Sequence, residues 1–498
     1  MGTRPPAIED VVSGHMCTGC GACAYIDASR LQMIDTATHT RRPQARADEP
    51  RLFQLPILGN PGAIESDSTS AAAVCPGINW PAAPPKPTTG HPELHAEWGP
   101  VLEIWEGFAV DPEIRFRGSS GGVVTALALY CIELGGMEGA LHVRARTDAP
   151  LLNETVLSRN RESLVKGAGS RYSPASPCEE LGQIENAASP CVFIGKPCDV
   201  AGAVKAREIR PQLDRNLGLT IAIFCAGAPS IQGTIELAKT LGANDPTQIE
   251  SVRYRGQGWP GEITATWRDE LTGASITKSI SYEEGWGKTL QKHRAWRCHV
   301  CADHTGEMAD VSVGDPWYRP IGQGDPGRSL VLVRTERGRQ LVREAVERGY
   351  LVLERRESWV VEASQSHLLR ARGSTWGRAI VSRLLGVSAP RHTGMPLFSS
   401  WWKRLGLKAR LQSLTGTLTR VFKKRLRAVE HAVPLTTSGL TRADRTSNIS
   451  IGAFPQGLES FLASIPEPAS IPEQIDSSRE PLQAASIAQE TSCMPLAR

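Results

Sequence analysis

The sequence predicts a mixed α+β or α/β protein with a cysteine-rich N-terminal segment, a central α/β domain, a basic helix and a disordered tail. Three observations support this fold class. Short apolar runs alternate with helical segments between about residues 98 and 354, as in strand–helix units. Three cysteines lie close together at 17–23. A basic segment, 401–429, is followed by residues rich in Ser, Pro, Ala, Gln and Glu.

Length and composition limit the class of protein. At 498 residues with 40% hydrophobic content, the chain can form two or three ordered units around a sizeable core. Its apolar runs are too short to cross a bilayer, so we expect no integral membrane protein. The N-terminus has no apolar signal core, so we expect the 12 cysteines to lie in a reducing cytoplasm and not in a disulfide framework.

The N-terminal segment, 10–80, is predicted to be a ferredoxin-like iron–sulfur domain because it contains Cys17, Cys20 and Cys23. Three thiols at this spacing, with small residues between them, can surround one corner of a cluster. Zinc is the alternative, since Cys17 and Cys20 alone form half of a zinc knuckle. No fourth thiol follows locally, and we expect Cys75, which precedes a proline, to complete the set. Its alternative is an ordinary buried thiol.

A proline-rich linker is predicted over 81–97, and an α/β domain over 98–385. Near the start of this domain, the loop Ser119, Ser120, Gly121 and Gly122 precedes a predicted helix, 123–134. Free N–H groups at a helix start suit an anion such as a cofactor phosphate. A flexible turn with a serine cap explains the same residues equally well.

A second group of thiols is predicted in the α/β domain. Cys198 and Cys225 each follow an apolar, strand-like run, so both reach one crevice if the two strands are parallel neighbours. Cys298 and Cys301 form a CxxC pair downstream. A zinc half-site or a redox dithiol is the alternative, but no second CxxC lies at zinc-ribbon separation. We therefore predict that these four thiols bind a second cluster.

Several stretches, in the same order, resemble the coenzyme F420 hydrogenase/dehydrogenase beta-subunit family, which also includes 7-hydroxymethyl chlorophyll a reductase. They are the Cys run at 17–23, Ser-Gly-Gly at 120–122, and the segments 169–174, 195–198, 224–225, 258–261, 298–303 and 309–315. The resemblance covers about residues 10–385. It implies a flavoprotein with FAD and two 4Fe-4S clusters. Such a protein passes electrons between a reduced donor, ferredoxin or deazaflavin coenzyme F420, and a substrate or partner oxidoreductase subunit.

The resemblance also implies roles for individual residues. The loop 119–122 and Ser170, Arg171 and Tyr172 are candidates for flavin binding, with Arg171 on a phosphate and Tyr172 stacked on a ring. Lys196 would place positive charge near the reduced flavin, and His304 would pass a proton during its reduction. Asp315 would orient the cofactor. The alternatives are a surface cation, a half-buried aromatic ring, a solvated lysine, a structural histidine and a turn-capping aspartate. Gly256, Gly258 and Gly261, around Trp259, predict a tight turn.

Near the C-terminus, residues 398–430 are predicted to form one basic amphipathic helix. The segment 401–429 contains nine Lys and Arg residues and no acid. Its apolar residues recur every three or four positions, at Leu407, Leu411, Leu414, Leu418, Val421, Phe422 and Leu426. Such a helix can lie on an anionic membrane surface, dock on a partner subunit or pack on its own domain. We expect no nucleic-acid binding, because no recognition motif accompanies the charge. Residues 436–498 are predicted to be disordered.

Together these features predict a cytoplasmic iron–sulfur flavoprotein oxidoreductase, with association at a membrane surface as an option for the basic helix. The alternative is a non-enzymatic electron-transfer or metal-binding scaffold that has no flavin. The sequence leaves the physiological donor and substrate open, because specificity depends on the shape of a pocket.

Overall fold

The computed structural model describes residues 7–46, 71–81, 84–322, 324–436 and 440. In this part of the chain the strands are β1 (Leu31–Asp35), β2 (Arg41–Ala45), β3 (Glu103–Ala109), β4 (Ala140–Ala145), β5 (Asn153–Ser158), β6 (Cys191–Gly195), β7 (Leu217–Ile223), β8 (Ile249–Arg253), β9 (Glu262–Arg268), β10 (Ser275–Ser281), β11 (Val311–Gly314), β12 (Ser329–Val333) and β13 (Leu351–Arg355). The α-helices are Ile8–Ser13, Ala22–Ile26, His95–Trp98, Pro112–Arg117, Val123–Glu133, Arg161–Lys166, Leu181–Glu185, Pro197–Arg207, Pro211–Asn216, Ile231–Leu241, Trp296–His299, Glu336–Glu347, Trp359–Leu384, Leu397–Arg404 and Leu407–Lys423. Shorter helical turns lie at Pro92–Leu94, Pro177–Glu180, Pro246–Gln248, Glu283–Thr289 and Leu290–His293.

An eight-stranded mixed sheet forms the centre, in the order β13-β3-β12-β11-β7-β6-β4-β5. The strands β11, β7, β6 and β4 run parallel to one another, and the outer pairings are antiparallel. Every residue of β6 and of β12 is buried, as expected for strands covered on both faces. This confirms the predicted mixed α/β class.

Successive residues of β6 pack into separate cores, because side chains alternate across a strand. Val192 and Ile194 pack with the helix Val123–Glu133, while Cys191 and Phe193 face the opposite core with Val200 of Pro197–Arg207. The sheet therefore has helices on both sides. Its loops at the carboxyl ends of β6, β7 and β11 lie between them, where the candidate site forms.

A second, three-stranded antiparallel sheet has the order β10-β9-β8. The helix Ile231–Leu241 packs on it through Ile235 and Leu241, which share a core with Ile263 and Trp267. This small layer lies beside the large sheet, and its connections supply aromatic residues to the candidate site.

The N-terminal residues form the helices Ile8–Ser13 and Ala22–Ile26 and the antiparallel hairpin β1–β2. They join the central sheet domain through a hydrogen bond in which the Cys178 amide donates to the Cys20 carbonyl, at 2.9 Å. Within the linker predicted over 81–97, residues 92–97 are helical and Leu94 is buried.

The prediction of one basic helix over 398–430 is wrong. The structure has two helices, Leu397–Arg404 and Leu407–Lys423, because Leu405 and Gly406 are extended, with ψ of 130° and 161°. Beyond them the chain returns to the N-terminal residues, where the Glu430 amide donates to the Ser13 carbonyl at 3.2 Å. Among the described helices, none is long and apolar enough to cross a membrane. The predicted tail, 436–498, lies outside the described residues except at 436 and 440.

Candidate functional site

The glycine-serine loop that precedes Val123–Glu133 is fixed by its own side chains. Ser119 Oγ accepts hydrogen bonds from the Ser170 amide at 2.6 Å and from Ser170 Oγ at 2.8 Å. Ser329 Oγ lies 3.0 Å from Ser120 Oγ and accepts a hydrogen bond from the Gly121 amide at 3.0 Å. Gly122 caps the helix with a φ of 76°, a conformation that favours glycine. The helix start is therefore held at the edge of a large cleft.

This cleft, called here the aromatic cleft, contains about 1640 Å³ of empty space, part of it open to solvent. Tyr172, Tyr282, Trp286 and Trp317 form its aromatic wall. The ring centroids of Tyr172 and Trp286 lie 4.8 Å apart, and those of Tyr282 and Trp317 lie 5.6 Å apart and nearly parallel, at 13°. Flat rings at one wall and a helix start at another suit a ligand with an aromatic ring system and a phosphate.

A buried ion pair fixes the base of the aromatic cleft. Arg255 donates to both carboxylate oxygens of Asp315, at 3.1 and 2.8 Å, and also to the Ser119 carbonyl and to Tyr172 Oη. Trp259 Nε1 donates to Asp315 Oδ1 at 2.7 Å. Burial lowers the pKa of Arg255, but the charge of Asp315 outweighs burial and raises it well above its usual value. Asp315 therefore holds the positions of Arg255 and Trp259, and its predicted role in orienting a cofactor stays a prediction.

Arg171 and Tyr172, both predicted to bind flavin, line the aromatic cleft, but their contacts differ. Arg171 donates to Asn153 Oδ1, to the Val252 carbonyl and to the Pro150 carbonyl, each at 2.8 Å. These contacts make Arg171 a brace between the central domain and the small sheet, and they do not match a guanidinium held ready to fork onto a phosphate. Tyr172 presents its ring to the aromatic cleft, as the sequence predicts.

The predicted cluster thiols surround a second space, called here the thiol cavity, with about 740 Å³ of empty space. Cys17, Cys198, Cys225, Cys298 and Cys301 all line it. Because β6 and β7 are parallel neighbours, Cys198 and Cys225 emerge at the same edge of the sheet, as predicted. Cys198 begins the helix Pro197–Arg207, and Cys298 lies in Trp296–His299.

Thiols of the same predicted set act on one another's pKa, as Cys23 and Cys225 illustrate. Burial and then the charges of Cys75, Cys20 and Cys17 raise the pKa of Cys23 well above its usual value. In the other set, burial and then the charge of Cys298 raise the pKa of Cys225 to about 12.

Burial also raises the pKa of Cys75 and of Cys301 to about 12. Cys20 is the exception, because a hydrogen bond from the Cys178 thiol lowers its pKa to about 7. Thiolates are the usual ligands of iron–sulfur clusters, so these residue types suit such a group, whose iron would supply the cationic charge between them. Among the residues that the structure describes, however, no three His, Cys, Asp or Glu side chains form a group that could hold a metal ion, so the two ligand sets stay a prediction.

The thiol cavity and the aromatic cleft adjoin each other. Lys196 and Cys225 line both spaces. Lys196 Nζ donates to Asp199 Oδ2 at 2.6 Å, and Asp199 is buried. Burial lowers the pKa of Lys196, but the charges of Asp199 and Cys198 outweigh burial and raise it. Lys196 is thus positively charged at the boundary of the two spaces, and its predicted place beside a reduced flavin stays a prediction.

The sequence predicts His304 beside the flavin, but the structure places it in the thiol cavity. It lines the thiol cavity, with Nδ1 2.9 Å from the Cys225 carbonyl, and it is not among the residues that line the aromatic cleft. Burial lowers its pKa to about 4, which keeps the ring neutral. Its position does not support the predicted proton transfer during flavin reduction.

Sequence reasoning missed several residues of the site. Arg255, Tyr282, Trp286 and Trp317 line the aromatic cleft, and Arg42 lines the thiol cavity. The aromatic residues come from the segment after β10 and the loop after β11, which have no motif at a fixed spacing. Arg255 did carry a signal, because it directly precedes the glycines of the predicted tight turn. Gly256, Gly258 and Gly261 all have positive φ, from 77° to 97°, which confirms that turn.

Comparison with known proteins gives matches over the same region. Residues 104–181 match the family described as coenzyme F420 hydrogenase/dehydrogenase, beta subunit N-term, and residues 190–358 match its C terminus. The beta subunit of coenzyme F420 hydrogenase from Methanosarcina barkeri is 25% identical over 251 residues, which are 48% of this chain and 77% of that protein. One component of the F(420)H(2) dehydrogenase from Methanosarcina mazei is 22% identical over 348 residues, 69% of this chain and 87% of that protein.

Among solved structures, a chain of the F420-reducing NiFe hydrogenase complex from Methanosarcina barkeri is similar, with a TM-score of 0.45 and 20% identity over 60% of this chain and 98% of that chain. The two family matches are consecutive and include β3 to β13 of the large sheet, both walls of the aromatic cleft and the thiols 198, 225, 298 and 301. The chain belongs to the coenzyme F420 hydrogenase/dehydrogenase beta-subunit family.

Proposed function

We propose that this chain is an iron–sulfur flavoprotein oxidoreductase with FAD in the aromatic cleft and a 4Fe-4S cluster on each set of four thiols. It passes electrons between a reduced donor, ferredoxin or deazaflavin coenzyme F420, and a substrate or partner oxidoreductase subunit. The observation that carries the proposal is the contact between the aromatic cleft and the thiol cavity at Lys196 and Cys225. A reducing cytoplasm suits these free thiols.

The names of similar proteins support an electron-transfer role. They include the beta subunit of coenzyme F420 hydrogenase, a subunit of F420-dependent formate dehydrogenase and a coenzyme F420-dependent sulfite reductase. Two of these names denote subunits, which favours the presence of a partner oxidoreductase subunit here as well.

A flavin takes up a hydride and a cluster carries one electron, so a protein that holds both can connect two-electron and one-electron chemistry. In this proposal, residues of the aromatic cleft form the binding site of the flavin. The helix start at Gly122 and the loop amides attract a phosphate, and Tyr172 and Trp286 cover an aromatic ring. Lys196, held by Asp199, favours a negative charge at the end of the cleft that is nearest the thiols.

The thiols divide as Cys17, Cys20, Cys23 and Cys75 for the first cluster and Cys198, Cys225, Cys298 and Cys301 for the second. The second set is the one beside the aromatic cleft, since Cys225 lines both spaces. The first set touches the thiol cavity through Cys17. We therefore propose that the second cluster lies between the flavin and the first cluster.

Anaerobic purification followed by iron, sulfide and flavin analysis tests the proposal. Two 4Fe-4S clusters give about eight irons per chain. We expect Cys298→Ser to lose about half of the iron and to keep the first cluster. Cys131→Ala is the control, because Cys131 is also a free thiol but lies in the helix Val123–Glu133, outside both predicted thiol sets. Full iron without flavin would favour the non-enzymatic scaffold, and zinc in place of iron would contradict both functions.

A further inference from the structure

The helix Leu407–Lys423 exposes its apolar side chains to solvent. Leu407, Leu411, Leu418 and Phe422 are 68, 52, 45 and 58% exposed. Their spacing of four, seven and four residues places them along one side of the helix. We call this side the leucine face.

A different side of the same helix packs against the protein. Ser413, Thr417 and Val421 are its buried residues. The contact with the helix Trp359–Leu384 is close, because a Cβ atom on Gly377 would lie only 2.4 Å from Ser413 Oγ. Trp401 Nε1 also donates to Ser413 Oγ at 3.0 Å. Small residues on both helices therefore fix the orientation of the helix, and this orientation turns the leucine face outward.

The preceding helix, Leu397–Arg404, extends the exposed apolar surface. Phe398 and Trp402 are 54 and 57% exposed, and their ring centroids lie 6.5 Å apart. The Arg410 guanidinium lies over the Trp402 ring, 4.6 Å from its centroid, and so connects the two helices. An exposed apolar patch of several large side chains marks an interaction surface more often than a lone exposed leucine does.

Within residues 397–429 the charge has a single sign, and acidic residues of other segments, Glu97 and Glu362, meet it at Arg404. No Asp or Glu occurs in residues 397–429, and nine Lys and Arg residues do. Arg404 is paired with Glu97 at 3.1 Å. Lys403, Lys408, Lys423 and Arg425 are exposed and have no ion pair with any residue that the structure describes. The patch is therefore complementary to a negatively charged surface.

We propose that the leucine face, with Phe398 and Trp402, docks this protein peripherally on an anionic lipid bilayer. The face combines exposed Leu, Phe and Trp side chains with exposed lysines of the same two helices, which is the composition of helices that lie in the lipid interface. Lysine is depleted at protein–protein interfaces, so these lysines fit lipid headgroups better than a protein partner. The proposal is independent of the cofactors in the aromatic cleft and the thiol cavity.

Flotation of the full chain, purified anaerobically, with phosphatidylcholine vesicles that contain or lack phosphatidylglycerol tests the proposal. We expect binding only to the anionic vesicles, weakened by added salt because exposed charges are screened. Leu411→Ser/Leu418→Ser should weaken binding by roughly tenfold or more, through loss of buried apolar area. Lys408→Glu/Lys423→Glu should weaken it at low salt.

Leu271→Ser is the matched control, because Leu271 is 96% exposed and lies in the β9–β10 turn, far from the leucine face in the chain. Equal thermal unfolding temperatures would show that the variants are folded. Failure of the wild-type chain to bind anionic vesicles overturns the proposal. An equal loss of binding in Leu271→Ser also overturns it. A dimer in solution that Leu411→Ser/Leu418→Ser dissociates does so as well, since the leucine face would then bind a second copy of the chain.

Discussion

Arg42 and Glu430 form a buried charge pair beside the thiol cavity. Neutralising one or the other should shift the reduction potentials of the proposed clusters in opposite directions. Arg42 is 6% exposed and lines the cavity, and its Nε donates to Glu430 Oε1 at 2.7 Å. Burial lowers the pKa of Arg42, but the charges of Cys17, Glu430 and Cys298 outweigh burial and raise it. Cys17 and Cys298 belong to different thiol sets, so Arg42 acts on both.

A positive charge stabilises the reduced form of a cluster, which carries one more electron. For a unit charge roughly 7 Å from the centre of a cluster, at an effective dielectric constant of about 20, the interaction is about 2 kcal/mol. For a one-electron couple, about 1.4 kcal/mol corresponds to 59 mV, so the full effect is on the order of 100 mV. Glu430 opposes it, which reduces the net contribution of the pair to tens of millivolts.

We therefore expect Arg42→Gln to lower the reduction potentials of both clusters and Glu430→Gln to raise them. The double variant should lie between the two, because both charges are removed. The assay is a redox titration monitored by electron paramagnetic resonance. Arg46→Gln is the control, since Arg46 lies four residues away on the exposed end of the same hairpin. Shifts of the same sign in both single variants, or none beyond that of the control, would refute the reasoning.

Three further predictions concern the aromatic cleft. Gly122→Ala should lower flavin content and thermal stability more than Gly136→Ala. Both glycines have positive φ, but only at Gly122 would an added Cβ meet backbone, at 2.7 Å. Flavin analysis and thermal unfolding measure the two effects. Asp315→Asn should reduce flavin retention during gel filtration and spare the iron content, because Arg255 loses its charge partner. Burial lowers the pKa of His142 to about 4, so its contribution to stability is present above pH 6.5 and is lost as the pH falls toward 4. Between pH 7 and pH 5, the free energy of unfolding should fall by about 2 kcal/mol more in the wild type than in His142→Gln. Denaturant titrations of both proteins at the two pH values measure this difference.

Local sequence patterns were sufficient for the features that depend on neighbouring residues. The apolar runs of β6 and β7 predicted two buried strands, and their parallel pairing brought Cys198 and Cys225 together. The glycines around Trp259 predicted a tight turn, since only glycine readily adopts positive φ.

Other features depend on contacts between distant segments, which spacing does not encode. Arg255 reaches Asp315 across 60 residues, and the aromatic wall combines side chains from three separate loops. In the helix Leu407–Lys423, the apolar periodicity grouped Val421 with Leu407, Leu411, Leu418 and Phe422. The structure instead buries Val421 with Ser413 and Thr417 on another side and leaves the other four exposed. Close packing against Gly377 decided that orientation.

In the proposed function, electrons pass from the aromatic cleft to the first thiol set by way of the second. The most direct test reduces the flavin of the anaerobic protein with reduced coenzyme F420 or ferredoxin and follows the first cluster by electron paramagnetic resonance after rapid freezing. In Cys298→Ser we predict that flavin is reduced at the wild-type rate while the first cluster stays oxidised. Reduction of the first cluster at an unchanged rate in this variant would contradict the account.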